Sequence, residues 1–265
     1  MWKAEEVAAA YPLGVRDFIH QPACGLRRGQ GTDDTEMALI VARSLVAKRK
    51  LDLQDIAAQL VAWADGGGDA GPSTSHAIAT LRRGVEPGQA GSHDTPSSGC
   101  LPRCAPVALA IPEHSIVPTT IACCELTHRH PGAIAASVAF NLILARLIGG
   151  IEWSEAVTTM ENSGNESSPA KIIRELGGQS GAGMVVAEAA GCVTKARTAE
   201  EAIVAAVSAG GDTDTRGAVA GALSGARWGL EALPTRWIEG CDAGEDAYRL
   251  GLSLGRLRLE QKHRL

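Results

Sequence analysis

Residues 210–228 read GGDTDTRGAVAGALSGARW. Two glycines open the stretch, Asp212, Thr213, Asp214 and Thr215 follow, and Ala218 to Trp228 continues as a helix of small residues. Helices of this kind pack closely, and the rest of the chain suits them. It is 45% hydrophobic but only 3% aromatic, so its core must come from Ala, Leu, Val and Ile. Such a core favours packed helices over a sandwich or barrel. With 265 residues there is chain enough for a substantial core. The expectation is one all-α domain spanning residues 1–265.

Working outward from this stretch, helical periods recur along the chain. Thr32 or Asp33 caps a helix with Met37, Ile40, Val41, Leu45 and Val46 on one face; Asp52 opens another that ends near Asp65. A glycine-rich turn, Gly66 to Pro72, precedes a helix over 73–83, and Gly84 to Ser98 reads as a long loop. Helices are expected at 3–10, 99–111, 116–127, 131–149, 152–162, 198–209, 216–229, near 234–238 and at 243–259. Ser167-Ser168-Pro169 is a plausible helix start in the hard-to-read stretch 164–183. No run alternates as a strand would.

Charge and cysteine content narrow the function classes. A net charge of −5 gives no electrostatic case for a nucleic-acid partner. Seven cysteines, an odd set with no C-x-x-C, read as small buried hydrophobes of a reducing compartment. No apolar run reaches the ~20 residues of a membrane span, since Asn141 and Arg146 interrupt Ala133 to Ile148. A cytoplasmic monomer with no membrane partner is the expectation.

Gly31-Thr32-Asp33-Asp34-Thr35-Glu36 has the composition of the 210–217 stretch. Helix capping accounts for either cluster alone. Capping needs one oxygen, however, and a second carboxylate beside it adds repulsion unless a cation is present. Thr32, Asp33, Asp34, Asp212, Asp214 and Thr215 offer hard oxygen donors only, which suits two Mg²⁺ or Mn²⁺ ions rather than zinc. Asp69, on the glycine-rich turn, is either an Asx-turn residue or a catalytic carboxylate. Ser97-Ser98-Gly99-Cys100 offers backbone N–H groups to a phosphate at a helix start, with Arg103 within a turn. His128, in Thr127-His128-Arg129-His130, is either a charge complementing a helix C-terminus or a ligand contact.

Taken in order, Thr32 to Met37, Asp69-Ala70-Gly71, Ser98 to Pro106, Thr127-His128, Gly210 to Thr215 and Gly221 to Ala226 resemble the ADP-ribosylglycohydrolases over about residues 5–240. The resemblance implies an orthogonal helical bundle around a binuclear Mg²⁺ or Mn²⁺ centre. It implies hydrolysis at the anomeric carbon of an ADP-ribosyl group, linked to a protein arginine or to a small conjugate. Carried over by position, Thr32, Asp33, Asp34, Asp212, Asp214 and Thr215 would be the ligands, with Asp33 and Asp34 serving catalysis directly. Asp69 would be the catalytic carboxylate of one branch, and Ser98, Gly99, Arg103 and His128 would contact substrate. The chain differs from the usual pattern in starting after the first helix, which carries a Gly-Asp-Ala-Leu-Gly-like stretch and a glutamate near the metals. It also has Ser98 for Asn, Pro102 for a Met-like residue, and Arg216 for a small or apolar one. The shortened start makes a catalytically impaired ADP-ribose-binding or structural relative the second reading; a helical metal-dependent phosphohydrolase is the third.

Overall fold

The computed structural model describes residues 2–19, 25–158 and 181–262. Their α-helices are α1 (Ala4–Ala10), α2 (Asp33–Lys48), α3 (Leu53–Asp65), α4 (Pro72–Arg82), α5 (Cys100–Ala110), α6 (Glu113–Glu125), α7 (Pro131–Ile148), α8 (Trp153–Thr158), α9 (Gly181–Lys195), α10 (Ala199–Ser208), α11 (Thr213–Trp228), α12 (Thr235–Gly240) and α13 (Gly244–Lys262). Among the described residues there is no strand; Ser92 and His128 form an isolated bridge. The all-α expectation holds.

Helix α7 is the hub, packing against α5, α6, α9 and α11. Ala133, Ala136, Phe140, Ile143, Leu144 and Leu147 are buried along it, and its alanines let neighbouring axes come close. By length and composition it is apolar enough to cross a membrane, but 72% of that window is buried inside the protein. Asn141, the polar interruption in the sequence, faces inward. Its Nδ2 donates to the Cys104 carbonyl (2.9 Å) and to Thr120 Oγ1 (3.0 Å), joining α7 to α5 and α6. Arg258 of α13 is also buried, and donates to the carbonyls of Ala108 and Ala145, satisfying the C-terminal turns of α5 and α7.

Two helix starts expected from the sequence, at Asp52 and Thr198, are capped by those side chains. Asp52 accepts from the Asp55 N–H at 3.0 Å, and Thr198 from the Glu201 N–H at 3.2 Å. The expected starts at 99 and 116 become Cys100 and Glu113, with Pro106 and Pro118 inside their helices. Helix α9 had no counterpart in the sequence reading beyond the opaque stretch 164–183. Its three glycines and its valines lower helix propensity, and it is helical because Val185, Val186, Ala189 and Val193 bury against the core. Ser167-Ser168-Pro169 lies outside the described residues. Cys100, Cys104, Cys123 and Cys124 are free and buried, as small hydrophobes should be, whereas Cys192 and Cys241 are partly exposed.

Candidate active site

The N-termini of α2 and α11 meet. Thr215, in the first turn of α11, donates from Oγ1 to Asp34 Oδ2 at 2.8 Å, across 181 residues of sequence. Asp34 is buried, and its carboxyl is pushed up to about 8 by loss of solvent, with the charges of Asp214, Asp33 and Asp212 adding to the rise. Asp33 is raised by burial, by Asp214 and, to a lesser degree, by Asp69. Asp214 is raised by desolvation and by a side-chain hydrogen bond to Asp212. Four carboxylates from two distant segments thus repel one another in one place.

Capping does not explain them. Thr32 and Asp212 occupy the N-cap positions of α2 and α11, yet neither side chain makes a cap hydrogen bond. Two residues of the best capping types leave their oxygens uncommitted to the backbone, unlike Asp52 and Thr198. In chemistry, all-oxygen donors of this kind fit a hard divalent cation. The cluster is not yet a closed coordination shell: among the described residues no three His, Cys, Asp or Glu groups stand as a chelating set. Asp34 Oδ2 is taken by Thr215, and Asp212 Oδ2 accepts the hydroxyl of Ser98.

That last contact ties the predicted ligand loop to the carboxylates. Ser97 meets Ser73 of α4 (Oγ to Oγ, 2.9 Å), Ser98 meets Asp212, and Gly99 is the N-cap of α5. Pro96 accepts from the Ala182 N–H (2.8 Å), which brings the start of α9 alongside. Asp69 is exposed on its turn, with no hydrogen bond to its carboxylate among the described residues; no Asx turn forms. The turn is anchored through Trp63. A Cβ on Gly68 would fall 2.2 Å from the indole, whose Nε1 donates to Glu36 Oε2 at 2.7 Å. A cleft of about 700 Å³ lined by Gly31, Thr35, Glu36, Arg43 and Trp63 adjoins the cluster without including its four aspartates.

Of the expected substrate contacts, Arg103 is placed differently. It is fully buried, and its guanidinium donates to the carbonyls of Cys123 (2.7 Å) and Cys124 (3.3 Å) and to Thr127 Oγ1 (2.6 Å). No ligand in the opening reaches it directly. His128, 2% exposed, turns its ring toward Gly99: a Cβ there would lie 3.9 Å from Cε1 and 4.0 Å from Nε2.

The profile of the ADP-ribosylglycohydrolase family matches residues 1–264. The chain belongs to the ADP-ribosylglycohydrolase family. As a family member it is 32% identical to the ADP-ribosyl-[dinitrogen reductase] glycohydrolase of Rhodospirillum rubrum, over 84% of this chain and 79% of that one. It is 28% identical to the ADP-ribosylarginine hydrolase Tri1 of Pseudomonas putida, over 85% of this chain and 66% of that protein. A solved ADP-ribosylglycohydrolase-related protein complex superposes with a TM-score of 0.81 at 29% identity, covering 92% of this chain and 87% of that one.

Arg216 is a support that sequence reading noted only as a departure. Its Nη1 donates to the carbonyls of Gly210 (2.7 Å) and Ala206 (3.3 Å), and its Nη2 pairs with Glu188 at 2.7 Å. It thus joins the end of α10 and the glycine turn to α9. Replacing it with Met leaves two carbonyls and a carboxylate without their cation. With Glu188 half exposed and free to meet water, we expect a loss of about 1–2 kcal/mol in urea unfolding, mostly from the two carbonyls, together with weaker divalent-cation binding; an unchanged midpoint would show the ion pair to be ornamental.

Proposed function

We propose that this chain hydrolyses the glycosidic bond joining ADP-ribose to an acceptor, either an arginine of a modified protein or a small ADP-ribosyl conjugate. The carrying observation is the convergence of Thr32-Asp33-Asp34 and Asp212-x-Asp214-Thr215, with Asp69 close enough to raise Asp33. Asp33, Asp34, Asp212 and Asp214, with the hydroxyls of Thr32 and Thr215, would hold Mg²⁺ or Mn²⁺. Bound there, the ions would supply Lewis-acid polarisation and acidify water.

The remaining work falls to the side chains. The bond breaks through an oxocarbenium-like transition state, so negative carboxylates around the ribose stabilise the charge that develops on it. Asp69, exposed on an anchored turn, takes the proton of the attacking water as oxygen bonds to the anomeric carbon. The leaving nitrogen or oxygen departs with the bonding pair and takes up a proton from the solvent that reaches the exposed Asp69, which gives the water's proton back to that solvent, so that the carboxylate is regenerated. Ser98, held by Asp212, and Gly99 at the start of α5 place backbone N–H groups toward the diphosphate. The names of the two bacterial relatives support the substrate class.

Incubating the protein with ADP-ribosyl-arginine and Mg²⁺ or Mn²⁺ should release free ADP-ribose; no release with either metal would leave an ADP-ribose-binding protein without turnover. Asp69→Asn should lower kcat about 10²- to 10⁴-fold with cation binding unchanged. Full turnover in that variant would remove Asp69 from the mechanism.

A further inference from the structure

His128 is clamped before any ligand arrives. Its N–H donates to the Cys124 carbonyl (2.9 Å), and its neighbours pair with the 84–98 loop: Ser92 N–H to the Thr127 carbonyl (3.0 Å) and Arg129 N–H to the Ser92 carbonyl (2.7 Å). Gly91 permits this approach, since a Cβ there would sit 2.4 Å from the Glu125 carbonyl oxygen and 2.8 Å from the His128 nitrogen. The ring itself has one hydrogen bond among the described residues, between Nδ1 and Thr127 Oγ1 at 2.7 Å.

Donor counting settles which way that bond runs. Arg103 has no acceptor atom, so Thr127 Oγ1 must accept from Arg103 Nη2. Its own hydrogen then needs an acceptor, and Nδ1 is the only partner left to it among the described residues. The opposite arrangement, with Nδ1 protonated, would strand a hydroxyl hydrogen in a residue that is 0% exposed. Arg103 is itself fixed: it is 0% exposed, lies against the last carbonyls of α6, and meets no carboxylate among the described residues. Its uncompensated positive charge stands one hydroxyl away from the imidazole and opposes a second proton on it.

We propose that Thr127, oriented by Arg103, holds His128 as the neutral imidazole protonated on Nε2, so that the ring presents one N–H donor beside Gly99 to an oxygen of ADP-ribose. The ligand in this statement rests on the function proposed above; the tautomer does not. Burial and the Arg103 charge also push the imidazole down to about 3, consistent with a ring that stays neutral. Thr127 and Arg103 are positioning residues. The ring they hold accepts on one side and donates on the other, which selects an acceptor atom in the ligand and rejects a cationic one.

Long-range ¹H–¹⁵N correlation spectra of the labelled full chain at about pH 7 read the tautomer directly, with His128→Gln used for assignment. The wild type should show the Nε2–H pattern without any ligand. Thr127→Val should turn it into a tautomer mixture and weaken ADP-ribose binding about tenfold by calorimetry. Thr127→Ser, which keeps the hydroxyl, should restore both. An Nδ1–H or doubly protonated ring in the wild type overturns the proposal, as does a Thr127→Val protein with unchanged tautomer and affinity. An Nε2–H ring in a protein that binds no ADP-ribose upholds the relay and overturns the proposed substrate class.

Discussion

Asp34→Asn should abolish ADP-ribose release while making the metal-free protein more stable. The two effects have one cause. The Asp34 carboxyl is buried among three other carboxylates and is raised to about 8, so its charge is tolerated only when a cation is there to meet it. Asparagine keeps an oxygen for the Thr215 hydroxyl, which now reaches Asp34 Oδ2 at 2.8 Å, and removes the charge. Losing even an outer-shell partner of a metal ligand typically costs 10- to 100-fold in activity; loss of a ligand should exceed about 10²-fold. The folded protein, relieved of one buried carboxylate, should melt higher without metal, by about 2–4 °C for each kcal/mol released. If the variant instead melts lower and still turns over, Asp34 is only an acceptor for Thr215.

The pH dependence follows with a definite sign. An aspartate raised in the folded state binds a proton there that it has already lost in the unfolded chain. Stability of the metal-free protein is therefore greatest below the ordinary value of 3.8 and falls as pH rises toward about 8. Asp33 and Asp214, raised in the same direction, add to the slope. Thermal melts across that range should show the decline in the wild type, a shallower one in Asp34→Asn, and its suppression by Mg²⁺ or Mn²⁺. A melting temperature that rises with pH would contradict the crowding of these carboxylates.

The acidic halves of this site are legible because their chemistry is local. Asp33 beside Asp34, and Asp212 two before Asp214, overfill a helix start whatever surrounds them. What joins the halves is not local. The Thr215–Asp34 and Ser98–Asp212 hydrogen bonds span 181 and 114 residues, and no spacing rule encodes them. Arg103 misleads for another reason: arginine is normally a surface residue, and a helix start beside a suspected phosphate loop invites a ligand role. The corrective signal lay in its neighbours, since Cys100, Leu101, Pro102 and Cys104 would surround an exposed arginine with apolar groups on nearly every side. Helix α9 escaped because its glycines and valines argue against a helix, while the burial that overrides them belongs to the tertiary structure.

Gly210→Ala should be among the most damaging single methyl groups in the chain, and it strikes the turn that carries the acidic cluster. Gly210 has φ +72°, in the left-handed region, and a Cβ on it would lie 2.4 Å from the Ala4 nitrogen and 2.7 Å from the Lys3 carbonyl carbon. Both obstacles are backbone at the start of α1, so no rotamer change relieves them. The turn is held from three sides: Gly211 N–H donates to the Trp2 carbonyl at 2.8 Å, Arg216 binds the Gly210 carbonyl, and Asp212 follows at once as the first residue of the acidic cluster. Strain at the left-handed position and the backbone collision together cost about 2–4 kcal/mol, and the turn can relax only by moving Asp212 and Asp214. Gly84→Ala is the proper control. Gly84 has φ +80° but nothing within 4 Å of a Cβ, so it carries the conformational cost alone, about 1 kcal/mol. Urea unfolding should separate the two variants by at least about 1 kcal/mol, and only Gly210→Ala should lose divalent-cation binding and ADP-ribose release. Equal losses of stability would show that the left-handed backbone, rather than the packing of the N-terminal segment on this turn, is what the paired glycines serve.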